Sequence, residues 1–328
     1  MSDPLNFLRA EGFGAATLHP LPADASFRRY TRLLGGPRPA LLMEAPPPED
    51  VRPFTRIAGH LLAAGLSAPE ILAANKTAGL VLIEDFGEHT LAQLLDAGAD
   101  PVPLYAEAAE ALAALHRAPP PAGLPAWDAA AMARATAATF LDWWWPESFG
   151  APASEAVRAE LAAALDAMLA PFAAQGFVHR DFFPANLMRL PQRPGARRMG
   201  ILDFQDAGLG HPAYDLVSLV EDARRDVAPE ARRAAVAAYL RNRPGQSPND
   251  LLAAMAAHGA QRHLRVAALW VRLARRDNKP RYLAHGPRCW RLLARSLSHP
   301  VCGPLVEFLD KHVPEDRRCN PVSLTEAM

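Results

Sequence analysis

Short stretches with strand patterning dominate the first 85 residues of the chain. The segments "RRYTRLLGG" and "RPALLMEAP" predict two strands joined by a Gly-Gly-Pro turn. The segments "PEILAAN" and "AGLVLIEDFG" predict a second pair of strands. The chain therefore begins with a small strand-rich region.

Helical spacing interrupts those strands once and then takes over the remainder of the chain. The segment "PEDVRPFTRIAGHLLAAGL" predicts a helix that begins at Asp50 or Glu49 and ends at Gly65. Farther along, "VPLYAEAAEALAALHRA" predicts a clear amphipathic helix. Two more long, alanine-rich helices follow, and the last hundred residues are mostly helical.

These patterns together predict an α+β fold made of two lobes. We expect a small antiparallel-sheet N-lobe over residues 1–86 and a larger helical C-lobe over residues 87–328. A hinge is expected near Glu84 to His89.

Composition narrows the class of protein. Half of the 328 residues are hydrophobic, and 35 basic residues balance 35 acidic ones, so no nucleic-acid partner is expected. The first residues carry early acidic groups and no apolar run, and no uncharged apolar stretch of 18 residues occurs, so we expect neither a secretory signal nor a membrane span. Three distant cysteines favour a reducing cytoplasm. We also expect a monomer.

The richest chemistry lies in the segment "FVHRDFFPANLM", which contains His179, Asp181 and Asn186. We call residues 179–186 the central loop. Asp203 follows an apolar strand-like run seventeen residues after Asn186. Carboxylate and amide oxygens suit Mg²⁺, and a further carboxylate beside the metal can orient an attacking hydroxyl. The alternative for Asp181 or Asn186 taken alone is a turn with helix caps.

The ordered pattern H-x-D-x-x-x-x-N followed by a strand-borne aspartate resembles the aminoglycoside phosphotransferase superfamily, which has a bilobal protein-kinase-like fold. Within that superfamily, the sequence resembles one subgroup in particular: the anomeric kinases of cell-wall recycling, which act on N-acetylmuramate and N-acetylglucosamine. The stretches that carry this resemblance span most of the chain: "DASFRRYTRL", "LLMEAPPPEDVRPF", "FLDWWWP", "HRDFFPANLM", "ILDFQDAGLGHPAYDLVSLV" and "RDNKPRYL".

The resemblance implies roles for the central motifs. Asp181 would be the catalytic base near the acceptor hydroxyl, and Asn186 and Asp203 would hold Mg²⁺ against the phosphates of ATP. His179 would brace the central loop with help from Asp215, which opens a helix and can accept backbone N–H groups.

Further positions follow from the same resemblance. Residues Glu84, Asp85 and Phe86 would form the segment whose backbone meets adenine. Asp206 would reach the sugar or a water near it, or would simply cap the turn, and we favour the cap.

The N-lobe departs from the kinase pattern. The loop that should cover the phosphates, "PADASFRRY", lacks the usual glycines. Met43 or Glu44 stands where the phosphate-binding lysine is expected, and Phe54 or Arg56 stands where its glutamate partner is expected. The usual lysine–glutamate pair is therefore absent.

Two explanations of this departure stay open. Arg28 or Arg29 holds the phosphates instead, since arginine binds phosphate with two parallel hydrogen bonds. Alternatively the protein has lost nucleotide turnover and is a pseudokinase. We favour the arginine explanation. Glu44 with Arg52 or Arg56 would make a charge-reversed pair.

Two features bear on the acceptor. Three consecutive tryptophans end at Trp145, and Trp144 is a candidate to stack on a sugar ring, with core packing as the alternative. Four arginines fall on one stripe of a helix, and Arg265 and Arg272 are candidates to bind a substrate carboxylate. A solvated helix face is the alternative for the stripe, whose members are Arg262, Arg265, Arg272 and Arg276.

Three functions compete on this sequence. The favoured one is an ATP- and Mg²⁺-dependent kinase for the anomeric hydroxyl of an amino sugar. The second is a kinase for another small alcohol, such as an aminoglycoside, choline or a homoserine-like metabolite, although the basic C-terminal region argues against a cationic antibiotic. The third is a nucleotide-binding or scaffolding pseudokinase.

Overall fold

The computed structural model describes residues 3–22, 27–173 and 175–325. Its strands are short and antiparallel pairing predominates. They are β1 (Thr17–Pro20), β2 (Arg29–Leu34), β3 (Ala40–Glu44), β4 (Ile71–Asn75), β5 (Leu80–Glu84), β6 (Ala126–Trp127), β7 (Gly176–Val178), β8 (Leu187–Arg189), β9 (Met199–Ile201) and β10 (Gly208–Gly210).

Helices make up most of the remainder, together with a few short 3₁₀ turns. They are α1 (Pro4–Ala10), α2 (Val51–Ala63), α3 (Leu91–Asp96), α4 (Pro101–Arg117), α5 (Ala129–Thr136), a π-helix (Ala137–Trp144), α6 (Trp145–Phe149), α7 (Glu155–Leu169), α8 (Ala213–Val220), α9 (Pro229–Arg241), α10 (Pro248–Arg276), α11 (Gly286–Leu297), α12 (Gly303–His312) and α13 (Val322–Thr325).

The chain forms two compact units. The first consists of Met1–Asp100 with Pro184–Asp206, and the second of Pro101–Phe183 with Ala207–Met328. This division differs from the boundary expected after residue 86, because α3 packs on β8 and on the turn Pro184–Asn186 within the first unit. The expected lobe boundary remains a prediction.

An antiparallel sheet of five strands forms the first unit, in the order β1-β2-β3-β5-β4. The four strands predicted from the sequence are confirmed as β2 to β5. The strand β1 was not predicted, because all four of its residues are exposed and leave no alternating pattern to detect. Within the same unit β8 and β9 form a separate antiparallel pair.

The predicted first long helix is present as α2. Asp50 is its N-cap, and its side chain accepts a hydrogen bond from the N–H of Arg52. The chain leaves this helix through Gly65, whose φ of +75° is readily available only to glycine. The buried face of α2 includes Phe54, which stacks on Phe204 with 4.9 Å between ring centroids.

The second unit is helical, with one three-stranded sheet in the order β6-β10-β7. Its centre is the 29-residue helix α10, which packs against α11, α8 and the π-helix. Helix α4, predicted from its amphipathic pattern, packs on α9. None of the described helices is apolar over a length that would cross a membrane.

Trp144 lies in the core of the second unit and has no exposed surface. Its ring stacks on Phe140 at 4.8 Å, and its indole N–H donates to the carbonyl of Cys319 at 2.8 Å. Trp144 therefore packs in the hydrophobic core, as the alternative interpretation of the sequence has it, and we withdraw it from the candidate sugar contacts.

We predict that Trp144→Ala lowers the free energy of unfolding by about 3–5 kcal/mol, the usual cost of deleting a large buried aromatic ring. Urea denaturation measures the loss. The neighbouring Trp143 is only half-buried, so Trp143→Ala should cost clearly less. Equal losses in the two variants would contradict the core placement.

Candidate active site

The central loop leaves β7 with its backbone held by one buried carboxylate. Asp215, in the first turn of α8, is fully buried. Its Oδ2 accepts the N–H of His179 at 2.6 Å, and its Oδ1 accepts the N–H of Arg180 at 2.8 Å. His179 is also buried, and its Nδ1 accepts the N–H of Asp181 at 3.3 Å. These contacts place Asp181, which is half-buried, directly after a fixed segment of backbone.

Backbone strain coincides with both sequence motifs. Among the described residues, three that are not glycine have a positive φ. Arg180, directly before Asp181, has a φ of 76°, and Asp203 has a φ of 60°. The third is Asn278, a residue type that tolerates this region. Strain of this kind persists only where surrounding contacts enforce it, and it clusters at functional sites.

Asn186 and Asp203 lie side by side in the first unit. The side-chain nitrogen of Asn186 is 3.5 Å from Oδ2 of Asp203, and Leu202, the residue before Asp203, donates its N–H to the carbonyl of Asn186 at 2.9 Å. Gln205 donates to Oδ1 of Asp203 at 2.7 Å. A carboxylate and an amide side chain are thus in contact in the first unit.

This pair fits a magnesium ion better than a transition metal. Mg²⁺ is commonly bound by one or two protein oxygen ligands together with water and substrate phosphates. The described residues contain no group of three or more His, Cys, Asp or Glu side chains arranged for a metal. Water or substrate oxygens would therefore complete the shell of a bound Mg²⁺.

The sheet of the first unit brings Tyr30 close to that pair. Burial raises the pKa of the Tyr30 hydroxyl, the neighbouring charge of Arg28 opposes this increase, and the negative charge of Asp203 adds to it. Arg28 is mostly buried and donates from Nε to Glu49 at 3.0 Å. Arg28, Tyr30 and Asp203 consequently share one region of the first unit.

Strand register separates the candidates that the sequence left open. Tyr30 pairs with Met43, and Arg29 pairs with Glu44. Because side chains alternate across a strand, Met43 shares a face with Tyr30, whereas Arg29 and Glu44 point to the opposite face. Met43 therefore lies on the same face of the sheet as Tyr30, the residue near Asp203. The loop before β2 includes residues 23–26, which lie outside the described residues.

A charge-reversed pair between Glu44 and Arg52 is not formed. Arg52 donates instead from Nε to its own helix cap, Asp50, at 2.9 Å. Two residues farther along α2, the ring of Phe54 stacks on that of Phe204, the residue after Asp203. Phe54, one of the two candidates for the position of the glutamate partner, thus makes a hydrophobic contact.

The segment expected to meet adenine is fixed through its side chains. Glu84 forms an ion pair with Arg193. Asp85 accepts from Arg32 at 3.1 Å, and Arg32 also donates to the carbonyl of Gly87 at 2.7 Å. The backbone N–H and carbonyl of Phe86, by contrast, make no hydrogen bond to any described residue. A donor and an acceptor thus remain available at one position.

In the second unit, Arg265 lies near Asp181. Its Nη2 donates to the hydroxyl of Tyr214 at 3.0 Å, and its Nε has no partner among the described residues. Burial lowers the pKa of the Arg265 guanidinium, but the hydroxyl of Tyr214 and the carboxylate of Asp181 outweigh burial and raise it above the ordinary value. This arginine therefore stays charged beside the carboxylate of the central loop.

Arg272 lies one to two turns farther along α10. Burial lowers the pKa of its guanidinium, and the nearby positive charges of Arg276 and Arg265 lower it further against the opposing effect of Asp277. Its side chain makes no hydrogen bond within the described parts of the chain. A partly buried arginine without an acceptor, next to a second arginine, is a favourable place for an anion.

The other two arginines of the stripe have different surroundings. Arg262 is buried and donates to the hydroxyl of Ser218 at 2.7 Å. Arg276 is exposed and pairs with Asp277 at 2.8 Å. The solvated-face alternative therefore describes Arg276 alone.

Three residues near the candidate site were not predicted from the sequence. The ring of Trp127 lies 4.0 Å from the guanidinium carbon of Arg180 and 5.8 Å from that of Arg265. The guanidinium of Arg224 lies 4.7 Å from the ring centroid of Phe183 in the central loop. Arg32 fixes the segment after β5. None of the three carries a local motif, so only the fold reveals them.

Asp206 is exposed, and its Oδ2 lies 3.5 Å from the side-chain nitrogen of Gln205. This position is compatible with a turn cap and with a substrate contact, so its role stays a prediction.

Known proteins resemble this chain over nearly its full length. A model of the phosphotransferase enzyme family matches residues 17–258. A curated relative from Caulobacter vibrioides, named N-acetylmuramate/N-acetylglucosamine kinase, is 37% identical over 353 residues, which cover 95% of this chain and 96% of that protein. A relative of the same name from Pseudomonas aeruginosa is 37% identical over 314 residues, covering 92% of this chain and 90% of that protein.

Solved structures resemble the fold. A choline/ethanolamine kinase family protein from Mesorhizobium loti gives a TM-score of 0.61 at 18% identity, covering 93% of this chain and 99% of that one. An aminoglycoside phosphotransferase solved with AMP-PNP and hygromycin B gives 0.58 at 20% identity, covering 90% and 99%. These likenesses confirm the predicted α+β, protein-kinase-like fold, with an antiparallel N-terminal sheet and a larger helical C-terminal part.

Proposed function

This chain belongs to the phosphotransferase enzyme family, and from that premise we propose that it is an ATP- and Mg²⁺-dependent kinase that phosphorylates the anomeric hydroxyl of N-acetylmuramate, N-acetylglucosamine or both. The observation that carries the proposal is the central loop, in which Asp181 follows two backbone N–H groups held by buried Asp215. The names of the two relatives at 37% identity support the class of sugar.

In the proposed reaction Asp181 orients the anomeric hydroxyl and accepts its proton. The hydroxyl oxygen forms a new bond to the γ-phosphorus of ATP, the bond to the β,γ-bridging oxygen breaks, and ADP leaves. Asn186 and Asp203 are the proposed ligands of Mg²⁺, which supplies charge neutralisation on the phosphates when it is bound. The contact between the Asn186 and Asp203 side chains in the first unit supports this assignment.

The proposed nucleotide contacts do not involve a lysine–glutamate pair. The free backbone groups of Phe86 would bind the edge of adenine, with Glu84 and Asp85 fixing the segment. Arg28 would contact the phosphates, since it shares a region with Tyr30 and Asp203. Arg29, on the opposite face of β2, is the less suitable of the two arginines.

The proposed acceptor contacts are Arg265 and Arg272. Both have guanidinium N–H groups without partners, and the charge of Arg265 lies near Asp181. N-acetylmuramate carries a lactyl carboxylate that N-acetylglucosamine lacks, so these arginines would act on one sugar only. We also propose a cytoplasmic location, where ATP is available and the three cysteines, which are free thiols, stay reduced.

An activity screen tests the function. The purified protein is incubated with ATP and Mg²⁺ and with amino sugars, choline or an aminoglycoside, and ³¹P and ¹H NMR identify the product. We expect an amino-sugar 1-phosphate. If only choline or an aminoglycoside is phosphorylated, the proposed acceptor is wrong. If the protein binds ATP but phosphorylates none of the alcohols, the pseudokinase explanation is favoured.

We predict that Asp181→Asn retains the fold and the affinity for ATP but lowers kcat by about 10²–10⁴-fold, the range usual for removing a general acid–base group. Steady-state kinetics measures kcat, and calorimetry measures ATP binding. Turnover close to that of the unchanged enzyme would remove Asp181 from this role.

We predict that Arg28→Ala raises the KM for ATP by about ten- to a hundredfold, because a charge-assisted hydrogen bond is worth roughly 1.5–3 kcal/mol. The KM for the sugar should stay nearly unchanged. Arg29→Ala is the matched control, a neighbouring arginine on the other face of the strand. A larger effect at Arg29 than at Arg28 would reverse the assignment.

We predict that Arg272→Ala lowers kcat/KM for N-acetylmuramate by about ten- to a hundredfold, since a charged hydrogen bond to the carboxylate is lost. N-acetylglucosamine should lose less than about twofold. Arg265→Ala should discriminate in the same direction, and Arg276→Ala, which removes an exposed arginine of the same stripe, should affect neither sugar. Equal losses on both sugars would assign Arg265 and Arg272 to structure.

A further inference from the structure

A series of buried, hydrogen-bonded polar groups extends from His179 of the central loop through the second unit. Oδ2 of Asp215, which accepts the N–H of His179, lies 3.3 Å from Nε2 of His116. Nδ1 of His116 lies 2.8 Å from the hydroxyl of Tyr239. His116 is near the end of α4 and Tyr239 lies within α9, and both side chains are buried.

The geometry fixes which atoms donate. Burial lowers the pKa of His116 against the opposing effect of Asp215, so the imidazole carries a single N–H. If that hydrogen were on Nδ1, the lone pair of Nε2 would face a carboxylate oxygen. The favourable arrangement therefore has Nε2–H donating to Asp215 and the hydroxyl of Tyr239 donating to Nδ1.

We propose that His116 and Tyr239 are positioning residues for the phosphoryl-transfer reaction, acting on Asp181 through Asp215 and the backbone of the central loop. The inference rests on the proposed function. Asp215 uses one oxygen for Arg180 and shares the other between His179 and His116. Without the imidazole N–H the carboxylate loses its side-chain hydrogen-bond partner and keeps only the two backbone N–H groups. Small misplacements of a catalytic group lower rates steeply.

The structure provides a matched control in the same unit. His263 and Glu221 also form a buried histidine–carboxylate pair, with 2.8 Å between Nε2 and Oε2. Neither residue is hydrogen-bonded to the described part of the central loop. Changes at His263 therefore report the cost of disrupting a buried pair without disturbing Asp181.

The experiment compares His116→Ala, His116→Gln, Tyr239→Phe and His263→Ala. Each variant is assayed for kcat and for the KM of both substrates, and its stability is measured by thermal unfolding. We expect His116→Ala to lower kcat by about ten- to a hundredfold with both KM values nearly unchanged. His116→Gln should recover most of the rate, because glutamine offers an N–H donor at a similar distance from the backbone.

A loss of stability without a loss of kcat in His116→Ala, or an equal loss of kcat in His263→Ala, would overturn the proposal. If His116→Ala does not fold, Tyr239→Phe decides, since it removes one hydroxyl only. That variant should lower kcat by about threefold to tenfold, in line with the loss of one buried hydrogen bond. An unchanged kcat in Tyr239→Phe would exclude Tyr239.

Amide hydrogen exchange separates this inference from the proposed function. The amides of His179 and Arg180 should exchange faster in the His116 and Tyr239 variants and at the normal rate in His263→Ala. If the unchanged protein phosphorylates no amino sugar, the proposed function fails, and the exchange rates still report whether the two residues hold the loop. Unchanged exchange in every variant would overturn the positioning role.

Discussion

A single buried carboxylate organises the centre of this molecule. Asp215 accepts the backbone N–H groups of His179 and Arg180, directly before Asp181, and Arg180 has a left-handed backbone. Such a conformation is costly for arginine, and a buried carboxylate is costly without donors. The two hydrogen bonds meet both requirements, because they supply donors to the buried carboxylate and hold the backbone at Arg180. The position of Asp181, and with it the proposed chemistry, depends on these two hydrogen bonds.

In the proposed nucleotide site of the first unit, apolar residues occupy positions where a charged pair was expected. Met43 occupies the strand position on the face that Tyr30 shares, and Phe54 of α2 stacks on Phe204. The contact between rings packs α2 against the residue that follows Asp203, and in the proposed site it takes the place of the expected ion pair. Positive charge then has to come from another element, and Arg28, beside Tyr30, is suitably located.

Local patterns predicted the part of the fold that depends on local sequence. Strands β2 to β5 and helices α2 and α4 followed from periodicity and caps, and the central loop followed from its spacing. The choice between Met43 and Glu44 could not be made from the sequence, because a shift of one residue in strand register moves a side chain to the other face. The three consecutive tryptophans were ambiguous because they point in different directions on a helix, and the π-helix that buries Trp144 has no signature in the pattern. His116 and Asp215 are 99 residues apart in sequence, so their contact exists only in the folded chain.

The proposed function depends on the position of one oxygen atom of the acceptor. A crystal structure of the protein with Mg²⁺, a non-hydrolysable ATP analogue and N-acetylmuramate measures that atom's position directly. We expect the anomeric hydroxyl oxygen within about 2.6–3.2 Å of the Asp181 carboxylate, the distance required for proton transfer. A different hydroxyl of the sugar at that carboxylate, or a sugar bound away from Asp181, would contradict it.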